Sequence, residues 1–367
     1  MDQVPLISFV ICSRNDDYVD GMLVRQQAAL DILADQLNEF EIPAEIIFVD
    51  WNSPKDRPGL LQALKWPISG QFVSSRVIVV NNEIHRRFLH SEYLGMHAAL
   101  GLNVGIRRAE GQFILPKSAD TFYSDEVVQY LGSTNLRGTS FYRCERCDVP
   151  SSILNLTEKG REAFLRGCGD SVLQRYQRPN VPKGYGIPAL HTNASGDFLL
   201  MAKENWWQIR GFKEWDSVVS LDVDGLAIHA AHAAGIRETD LPNSCVVFKP
   251  IHSLLTGDRQ KRQFVHPSAA VCGLMELLRL PSTWRIRTRA ALDYPRRIMD
   301  GVPGVRFPSY ARNFLEPARK MVGVWEAAIL NAPNWGLAKE TLKMVRTCEA
   351  GWQQGPHRNQ AIEGARE

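Results

Sequence analysis

Short apolar runs rich in β-branched residues alternate with helical stretches over the first 120 residues, and this alternation restricts the fold more than any other feature. Four runs have the length and composition of buried strands, namely residues 6–12, 44–50, 75–81 and 111–116. Leucines near helical spacing follow the first run, and further helical stretches precede the third and fourth. Strands that alternate with helices form a mostly parallel sheet with helices on both faces. The sequence therefore predicts an α/β fold.

The bulk composition is that of an ordinary globular protein. The 367 residues are 44% hydrophobic and 23% charged, and a net charge of +3 is too small to indicate nucleic-acid binding. No secretory signal pattern opens the chain and no run of about 18 apolar residues occurs, so we expect neither export nor a membrane span. Seven scattered cysteines suit a reducing cytoplasm, and the single CxxC at 144–147 indicates ordinary thiols rather than a structural zinc site.

Polar motifs follow the predicted strands. "CSRND" (12–16) ends the first strand, "DWNS" (50–53) ends the second, and "SAD" (118–120) comes just after the fourth, which "GLNVGIRRAEG" (101–111) precedes. Ligands of open α/β sheets bind beyond the carboxyl ends of the strands. Each motif alone also has a structural interpretation: Asp50 suits a helix cap, and "SAD" suits a turn.

The order and spacing of these motifs resemble the family 2 glycosyltransferases of the GT-A fold, over about residues 5–255. That family shows "P-T-Y-N-R", "V-D-D-G-S", "A-R-N-x-G-I-x-x-A-x-G" and a D-x-D motif at the corresponding places. This chain departs at Ser118, where the first acid of D-x-D is expected, and at Leu102, where an Arg is expected. The resemblance implies a GT-A, Rossmann-like sheet that binds a UDP- or GDP-sugar.

The resemblance also implies a donor site. Its residues here would be Cys12, Ser13, Arg14, Asn15, Asp50, Asn103, Ser118, Ala119 and Asp120. A Mn²⁺ or Mg²⁺ ion bridging the diphosphate would stabilise the leaving group, with Asp120 as its principal protein ligand and His252 as a second one. A lone His can instead be a partly buried residue bonded to backbone, and that alternative stays open for His252.

An inverting transfer also needs a general base for the acceptor hydroxyl. The family spacing favours Asp224, with Asp222 as the second candidate; Asp224 also directly precedes a predicted helix, where it would be a good N-cap. Gly196 and Asp197 would separate donor sugar from acceptor. Trp206 either stacks on a sugar ring or packs in the core.

The chain divides into three predicted parts. Residues 1–255 form the GT-A domain, with a nucleotide-binding half (1–120) and an acceptor half (121–255) that contains an irregular excursion at about 145–190. Residues 256–350 are predicted as a helical C-terminal extension, and 351–367 as a flexible tail.

Residues 281–320 carry nine basic and three acidic side chains among aromatic and aliphatic ones. This segment suits contact with an anionic membrane surface, and equally a solvated helical face or a self-association surface.

The function expected from the resemblance is an inverting, metal-assisted glycosyltransferase that acts on a glycan or lipid-linked acceptor. We expect it in the cytoplasm, free or peripheral on the inner face of the membrane. Two alternatives remain: an inactive relative that only binds nucleotide sugars, and a sugar nucleotidyltransferase. The lack of glycines in "CSRNDDY" disfavours the latter. The sequence discloses neither the donor sugar, the acceptor nor the oligomeric state.

Overall fold

The computed structural model describes residues 4–16, 21–67, 72–88, 91, 95–133, 135–178, 186–214, 223–251, 314 and 316–348. The strands in these ranges are β1 (Ile7–Ser13), β2 (Ala44–Trp51), β3 (Val73–Val80), β4 (Phe113–Lys117), β5 (Phe122–Tyr123), β6 (Ser140–Arg143), β7 (Glu145–Val149), β8 (Gln174–Tyr176), β9 (Leu200–Ala202), β10 (Arg237–Asp240), β11 (Val246–Pro250) and β12 (Lys343–Cys348). The α-helices are α1 (Met22–Glu39), α2 (Leu60–Ala63), α3 (Asn82–His85), α4 (Ala98–Arg108), α5 (Asp125–Gly132), α6 (Arg161–Asp170), α7 (Lys203–Ile209), α8 (Val223–Ala233) and α9 (Glu316–Met321). Two 3₁₀ helices span Ser151–Lys159 and Trp325–Ala328.

The larger sheet has eight strands in the order β10-β6-β9-β4-β1-β2-β3-β12. Strands β3, β2, β1 and β4 are mutually parallel neighbours, as are β6 and β10. Only β9 and β12 run antiparallel to their neighbours in this sheet. The four predicted strands of the first 120 residues are thus confirmed, as is the α/β class with a mostly parallel sheet.

Alternation along the strands divides the core into two layers, one on each face of the sheet. In β1, Val10 and Cys12 pack in one cluster with α4, α7 and α8, whereas Phe9 and Ile11 pack in another with α1 and α5. Successive side chains of a strand point to opposite faces, so a strand buried on both sides is apolar throughout. The predicted cover of helices on both faces is therefore confirmed.

The glycines of "GLNVGIRRAEG" let helix α4 lie directly on the sheet. A Cβ at Gly101 would lie 3.1 Å from the Cβ of Cys12 and 3.2 Å from the Trp51 ring, and one at Gly105 would lie 3.3 Å from Val49. Because i and i+4 positions share one helix face, these two glycines form a flat surface against β1 and β2. This part of the motif is explained by packing.

A second, smaller sheet forms within the predicted acceptor half, in the order β5-β11-β7-β8. Strands β11 and β7 are parallel, and β5 and β8 flank them antiparallel. Cys144 and Cys147 are both buried and pack in different clusters, so they do not face one another as a metal-binding pair would. Strands β7 and β8, helix α6 and the 3₁₀ helix at Ser151–Lys159 lie in the excursion predicted at 145–190, which is therefore largely structured up to residue 178.

The C-terminal region corrects one expectation. Instead of belonging to a helical extension, residues 343–348 form strand β12, which pairs antiparallel with β3 at the edge of the main sheet. Leu330 and Trp335 pack in the same core cluster as helices α4 and α7. A strand at this edge covers the unpaired backbone groups of β3, which a helix could not pair. No helix in the described ranges has both the length and the apolar character needed to cross a membrane.

Candidate active site

The carboxyl ends of β1, β2 and β4 meet at one edge of the main sheet. Ser13 lies opposite Asp50, and Ile11 opposite Lys117, in the parallel registers of these strands. Asp120 follows β4 by three residues. The register therefore brings the predicted donor-site motifs at 12–15, 50 and 118–120 to the same edge, which is where open α/β sheets bind ligands.

Asp50 is engaged by its own neighbourhood. Its Oδ2 accepts the backbone N–H of Leu60 at 2.9 Å, at the start of helix α2, and its Oδ1 accepts the hydroxyl of Ser53. Burial raises the pKa of Asp50 above its ordinary value, against the lowering effect of these bonds and of Arg14. The bond to Leu60 agrees with the helix-cap interpretation for one oxygen of Asp50, the Ser53 hydroxyl occupies the other, and a donor-binding role for Asp50 stays a prediction.

The residues of the "CSRND" motif at the end of β1 are mostly buried as well. Cys12 and Ser13 are buried, and Asn15 donates from its backbone N–H to Ser53 Oγ at 2.9 Å and from its side chain to the carbonyl of Pro58 at 2.9 Å. Arg14 is 7% exposed and lies 3.0 Å from a carboxylate oxygen of Asp16. Burial lowers the pKa of Arg14, although Asp16 and Asp50 oppose the shift. These contacts hold the turn beyond β1 against the turn beyond β2.

The fold places an acid from a distant part of the chain beside Ser118. The Ser118 hydroxyl donates to Oδ1 of Asp197 at 2.6 Å, across 79 residues of sequence. Ala119 is buried in the core, and Asp120 is 3% exposed. The edge of β4 therefore holds two carboxylates, one from its own turn and one from the segment that precedes β9.

Two cations surround Asp197. Lys249 Nζ lies 3.1 Å from its Oδ1, and Arg146 donates to its Oδ2 at 2.7 Å. Burial alone would raise the pKa of Asp197, but Lys249 and Arg146 hold it well below the ordinary range of an aspartate. Asp197 is therefore ionised at neutral pH and is saturated by its donors.

Asp120 is likewise paired with basic side chains. Lys249 Nζ lies 3.2 Å from Asp120 Oδ1, and Arg25 Nη1 lies 3.7 Å from Oδ2. Arg25 also donates to the backbone carbonyls of Pro250 and Ile251, which ties helix α1 to the end of β11. The charge of Asp120 is thus balanced by protein cations.

A further lysine lies beneath this group. Lys117 is 2% exposed, donates to the carbonyl of Ser118 at 3.0 Å and lies over the ring of Tyr123 at 5.6 Å. Burial lowers its pKa to about 7, although Asp120 and Asp197 oppose the shift. We call Lys117, Lys249, Arg146, Arg25, Asp120 and Asp197 the charged cluster.

The donor set of this cluster does not fit a divalent metal ion. Such an ion needs several unengaged oxygen ligands, whereas the Lys249 ammonium already lies between Asp120 and Asp197. Among the described residues, no group of three or more His, Cys, Asp or Glu side chains is arranged to hold a metal. His252, the second predicted ligand, lies outside the described residues, so the expectation of Mn²⁺ or Mg²⁺ at His252 stays a prediction.

Asp224 lies in the first turn of helix α8, as the sequence predicts. The Ser195 hydroxyl donates to its Oδ2 at 2.7 Å, and a Cβ placed on Gly196 would lie 3.2 Å from the same oxygen. Its side chain is half-buried. The next residue along this segment is Asp197, so one short stretch of chain contacts Asp224 and enters the charged cluster. Asp222, the second candidate base, lies outside the described residues.

Two predicted ligand contacts are replaced by packing. Trp206 is fully buried, donates from its indole nitrogen to the carbonyl of Ile114 at 3.0 Å and packs edge-on against Phe212. The sugar-stacking prediction for Trp206 is therefore wrong for this structure. Asn103 is also fully buried and bonds both the N–H and the carbonyl of Phe212, at 2.7 Å each. It links helix α4 to the Arg210–Phe212 turn, and a donor-binding role for it stays a prediction.

Sequence reasoning missed the basic half of the cluster. Lys249 and Arg146 lie on strands β11 and β7 of the smaller sheet, far along the chain from β4. A signal was present in "CVVFKPIHS", where a lysine interrupts an apolar run predicted as a core strand. A lysine at such a position needs a buried partner.

Comparisons with known proteins give no family. No family model matches the chain, and no curated protein matches its sequence. Similar solved structures include the catalytic domain of Drosophila beta1,4galactosyltransferase 7 in complex with xylobiose, at 11% identity and a TM-score of 0.31. That match covers 65% of each chain, so this chain spans less than two thirds of that domain.

The chain is also similar to S. aureus TarS 1-349, at 14% identity and a TM-score of 0.40, over 88% of this chain and 80% of that one. TarS 1-349 in complex with UDP-GlcNAc matches at 12% identity and a TM-score of 0.37, over 88% and 81%. Similarity at these scores assigns no substrate or residue role to this chain.

Proposed function

We propose that this protein is an inverting glycosyltransferase of the GT-A type, which moves a sugar from a UDP- or GDP-sugar to a hydroxyl group of a glycan or lipid-linked acceptor. One observation carries the proposal. The segment from Ser195 to Asp197 contacts a half-buried carboxylate, Asp224, at one end and enters the charged cluster at the other. One three-residue segment thus connects a carboxylate that would accept a proton with a group of cations that would hold a diphosphate.

The donor would lie across the ends of β1, β2 and β4. A nucleoside diphosphate carries several negative charges, and cationic side chains at a concave edge attract such a ligand. Lys249 and Arg146 keep about a sixth to a fifth of their side chains exposed, so part of each cation is accessible to a ligand. The strand-end position is the usual one for nucleotides in open α/β sheets.

The acceptor would be activated by Asp224. As the acceptor oxygen attacks the anomeric carbon, its proton passes to the Asp224 carboxylate. Ser195 donates to one oxygen of that carboxylate, which lies in the first turn of helix α8. Attack from this side breaks the bond between the sugar and the diphosphate on the opposite side, which inverts the anomeric configuration.

The nature of the acceptor is also part of the proposal. A lipid-linked acceptor is the choice that the basic composition of residues 281–320 favours, because anionic membrane surfaces attract such segments. Residues 281–313 and 315 of that segment lie outside the described residues. Peripheral attachment to the inner face of a membrane would follow from this choice.

The decisive test is turnover of a panel of UDP- and GDP-sugars, measured as release of the nucleoside diphosphate in the presence and absence of glycan acceptors. We expect activity with at least one donor in wild type and in Asp170→Asn, an exposed carboxylate at the end of α6. Asp224→Asn should bind the same donor without turning it over. Binding of a nucleotide sugar by wild type without any turnover would favour the inactive relative instead.

A further inference from the structure

The Lys249 ammonium lies between two carboxylates. Its Nζ is 3.2 Å from Asp120 Oδ1 and 3.1 Å from Asp197 Oδ1, and the Ser118 hydroxyl donates to the same Asp197 oxygen at 2.6 Å. Two carboxylate oxygens around one point are ligands that a hard divalent cation prefers. Here a protein side chain places a single positive charge at that point.

Strand β11 of the smaller sheet places Lys249 beside the turn that follows β4. Lys249 on β11 is paired with Asp148 on β7, and residues two apart in a strand share a face, so Lys249, Arg146 and Asp148 lie on the same face. Arg146 contacts Asp148 at 3.0 Å, and its guanidinium stacks over the Tyr176 ring at 4.3 Å. These contacts restrict both cations to one geometry, which reduces the entropy lost when they bind a ligand.

Lys249 keeps its charge and retains hydrogen-bonding capacity. Burial alone would lower its pKa, but Asp120 and Asp197 raise it above its ordinary value. An ammonium has three N–H donors, and among the described residues its contacts are with two carboxylates. The third donor is available for an oxygen of a ligand.

The surroundings strengthen the positive character of the site. Lys117 and Arg25 complete the basic side of the charged cluster, whose acids are Asp120 and Asp197, and Asp148 contacts Arg146 beside it. With a pKa of about 7, Lys117 is only partly protonated at neutral pH, so Lys249, Arg146 and Arg25 supply most of the positive charge. An added anion would be attracted at short range, where weak screening makes charge interactions strong.

We propose that the Lys249 ammonium, supported by Arg146, holds the diphosphate of the nucleotide-sugar donor and takes the place of a divalent metal ion. This inference rests on the proposed function and replaces its expected metal assistance with a fixed protein cation. In the transfer, the bond from the anomeric carbon to the diphosphate oxygen breaks and its electron pair stays on that oxygen. The bond from the acceptor oxygen to the anomeric carbon forms, and the acceptor proton goes to Asp224. Lys249 stays protonated and donates to the departing diphosphate.

The first experiment measures binding of UDP and GDP to wild-type protein by calorimetry, once with EDTA and once with Mn²⁺. The proposal predicts that one of the two nucleotides binds with the same Kd, within about twofold, in both conditions. Binding that appears only with Mn²⁺ would overturn the lysine's role and leave the proposed glycosyltransferase standing. Absence of binding for both nucleotides in both conditions would overturn the proposed function, and the inference with it.

The second experiment replaces the lysine. Lys249→Met should weaken nucleotide binding in EDTA by about tenfold or more, since a hydrogen bond to a charged group contributes about 1.5–3 kcal/mol. Its removal leaves one oxygen each of Asp120 and Asp197 around one point, so Mn²⁺ should restore much of the binding to this variant. Lys343→Met, an exposed lysine on β12, is the matched control and should bind as wild type does.

Lys249→Arg guards against a variant that fails to fold. It preserves the charge and should bind the nucleotide in EDTA within about fivefold of wild type, since a guanidinium also donates to phosphate. Circular dichroism spectra of the three variants identify any loss of structure. Unchanged binding by a folded Lys249→Met, or equal loss in Lys249→Met and Lys249→Arg, would overturn the proposal.

Discussion

Asp50 and Asp197 are both buried aspartates at the same edge of the main sheet that accept a serine hydroxyl, and their other partners differ. Asp50 accepts from Ser53 and from the backbone of Leu60, within ten residues of its own position. Asp197 accepts from Ser118, Arg146 and Lys249, each at least 51 residues away. Burial dominates for Asp50 and raises its pKa, whereas the two cations overcome burial for Asp197 and lower its pKa.

The comparison separates an acid held by nearby groups of its own chain segment from an acid held by distant cations. Local, neutral donors hold Asp50 in place and fix the turn that begins helix α2. The partners of Asp197 come from the turn after β4 and from strands β7 and β11, and two of the three are cations. A carboxylate whose pKa is shifted by specific charged partners, at the edge where parallel strands end, is a pattern expected of a functional site.

The largest expected effect is on the transfer rate, at Asp224, which the Ser195–Asp197 segment contacts. Asp224→Asn should lower the transfer rate by about 10²–10⁴-fold, because general-base catalysis contributes that much, while the Kd for donor changes little. Release of nucleoside diphosphate measures the rate, and Asp170→Asn is the control. Equal rates in Asp224→Asn and wild type would remove Asp224 from the proposed mechanism.

Removing Asp197 should destabilise the fold strongly. Asp197→Ala leaves Lys249 and Arg146 without their shared carboxylate, and breaking a buried ion pair costs about 3–5 kcal/mol. Urea unfolding at pH 7 measures the loss, with the exposed Asp35→Ala as control.

The pH dependence of that loss has a definite sign. The folded-state pKa of Asp197 is depressed, so its contribution to stability is present above the ordinary value of 3.8 and is lost as the pH falls below it. The difference between wild type and Asp197→Ala should therefore shrink below about pH 4. A difference that is constant from pH 7 to pH 3 would show that charge pairing is not its cause.

Burial of Lys117 should lower the free energy of unfolding by a smaller amount, which depends on pH. Its folded-state pKa of about 7 lies below its ordinary value of 10.5, so the unfolded chain binds more protons between these values and stability rises with pH across that window. Lys117→Met removes this cost, so it should stabilise the fold relative to wild type by a few kcal/mol at most at pH 6. The advantage should decline as the pH rises towards 10. Thermal unfolding across this range measures it, with the exposed Lys159→Met as control.

The smallest effect should lie at Asp50. Asp50→Ala removes the bond to the Leu60 N–H at the start of α2, and loss of such a cap costs about 1 kcal/mol. Ser53→Ala leaves the Leu60 bond in place and removes instead the donor to Oδ1 and the acceptor of the Asn15 backbone N–H. Urea unfolding of both variants measures the difference, and donor binding by Asp50→Ala should stay within about threefold of wild type. A loss of binding beyond that with an intact fold would place Asp50 at the donor after all.

The sequence pattern predicted secondary structure correctly where a residue's environment depends on its near neighbours in the chain. The apolar runs predicted strands β1 to β4, and helical spacing predicted α1, α4 and α8, because period and composition report burial directly. The position of Asp224 at a helix start followed from the same information. Residues 343–348 escaped this reasoning, since a short edge strand with charged residues resembles part of a helix until its partner β3 is known.

By itself, the sequence determined the parallel α/β sheet, the edge at which its polar motifs gather, and the candidate acids Asp120 and Asp224. Only the tertiary structure decided that Asp197 would stand beside Ser118, and that Lys249 would lie between Asp197 and Asp120. The physical reason is that the strand period says which face a side chain takes, whereas its partner across two sheets depends on register and packing. At Ser118 the fold therefore supplies an acid, Asp197, from elsewhere in the chain and adds the cation of Lys249 to it.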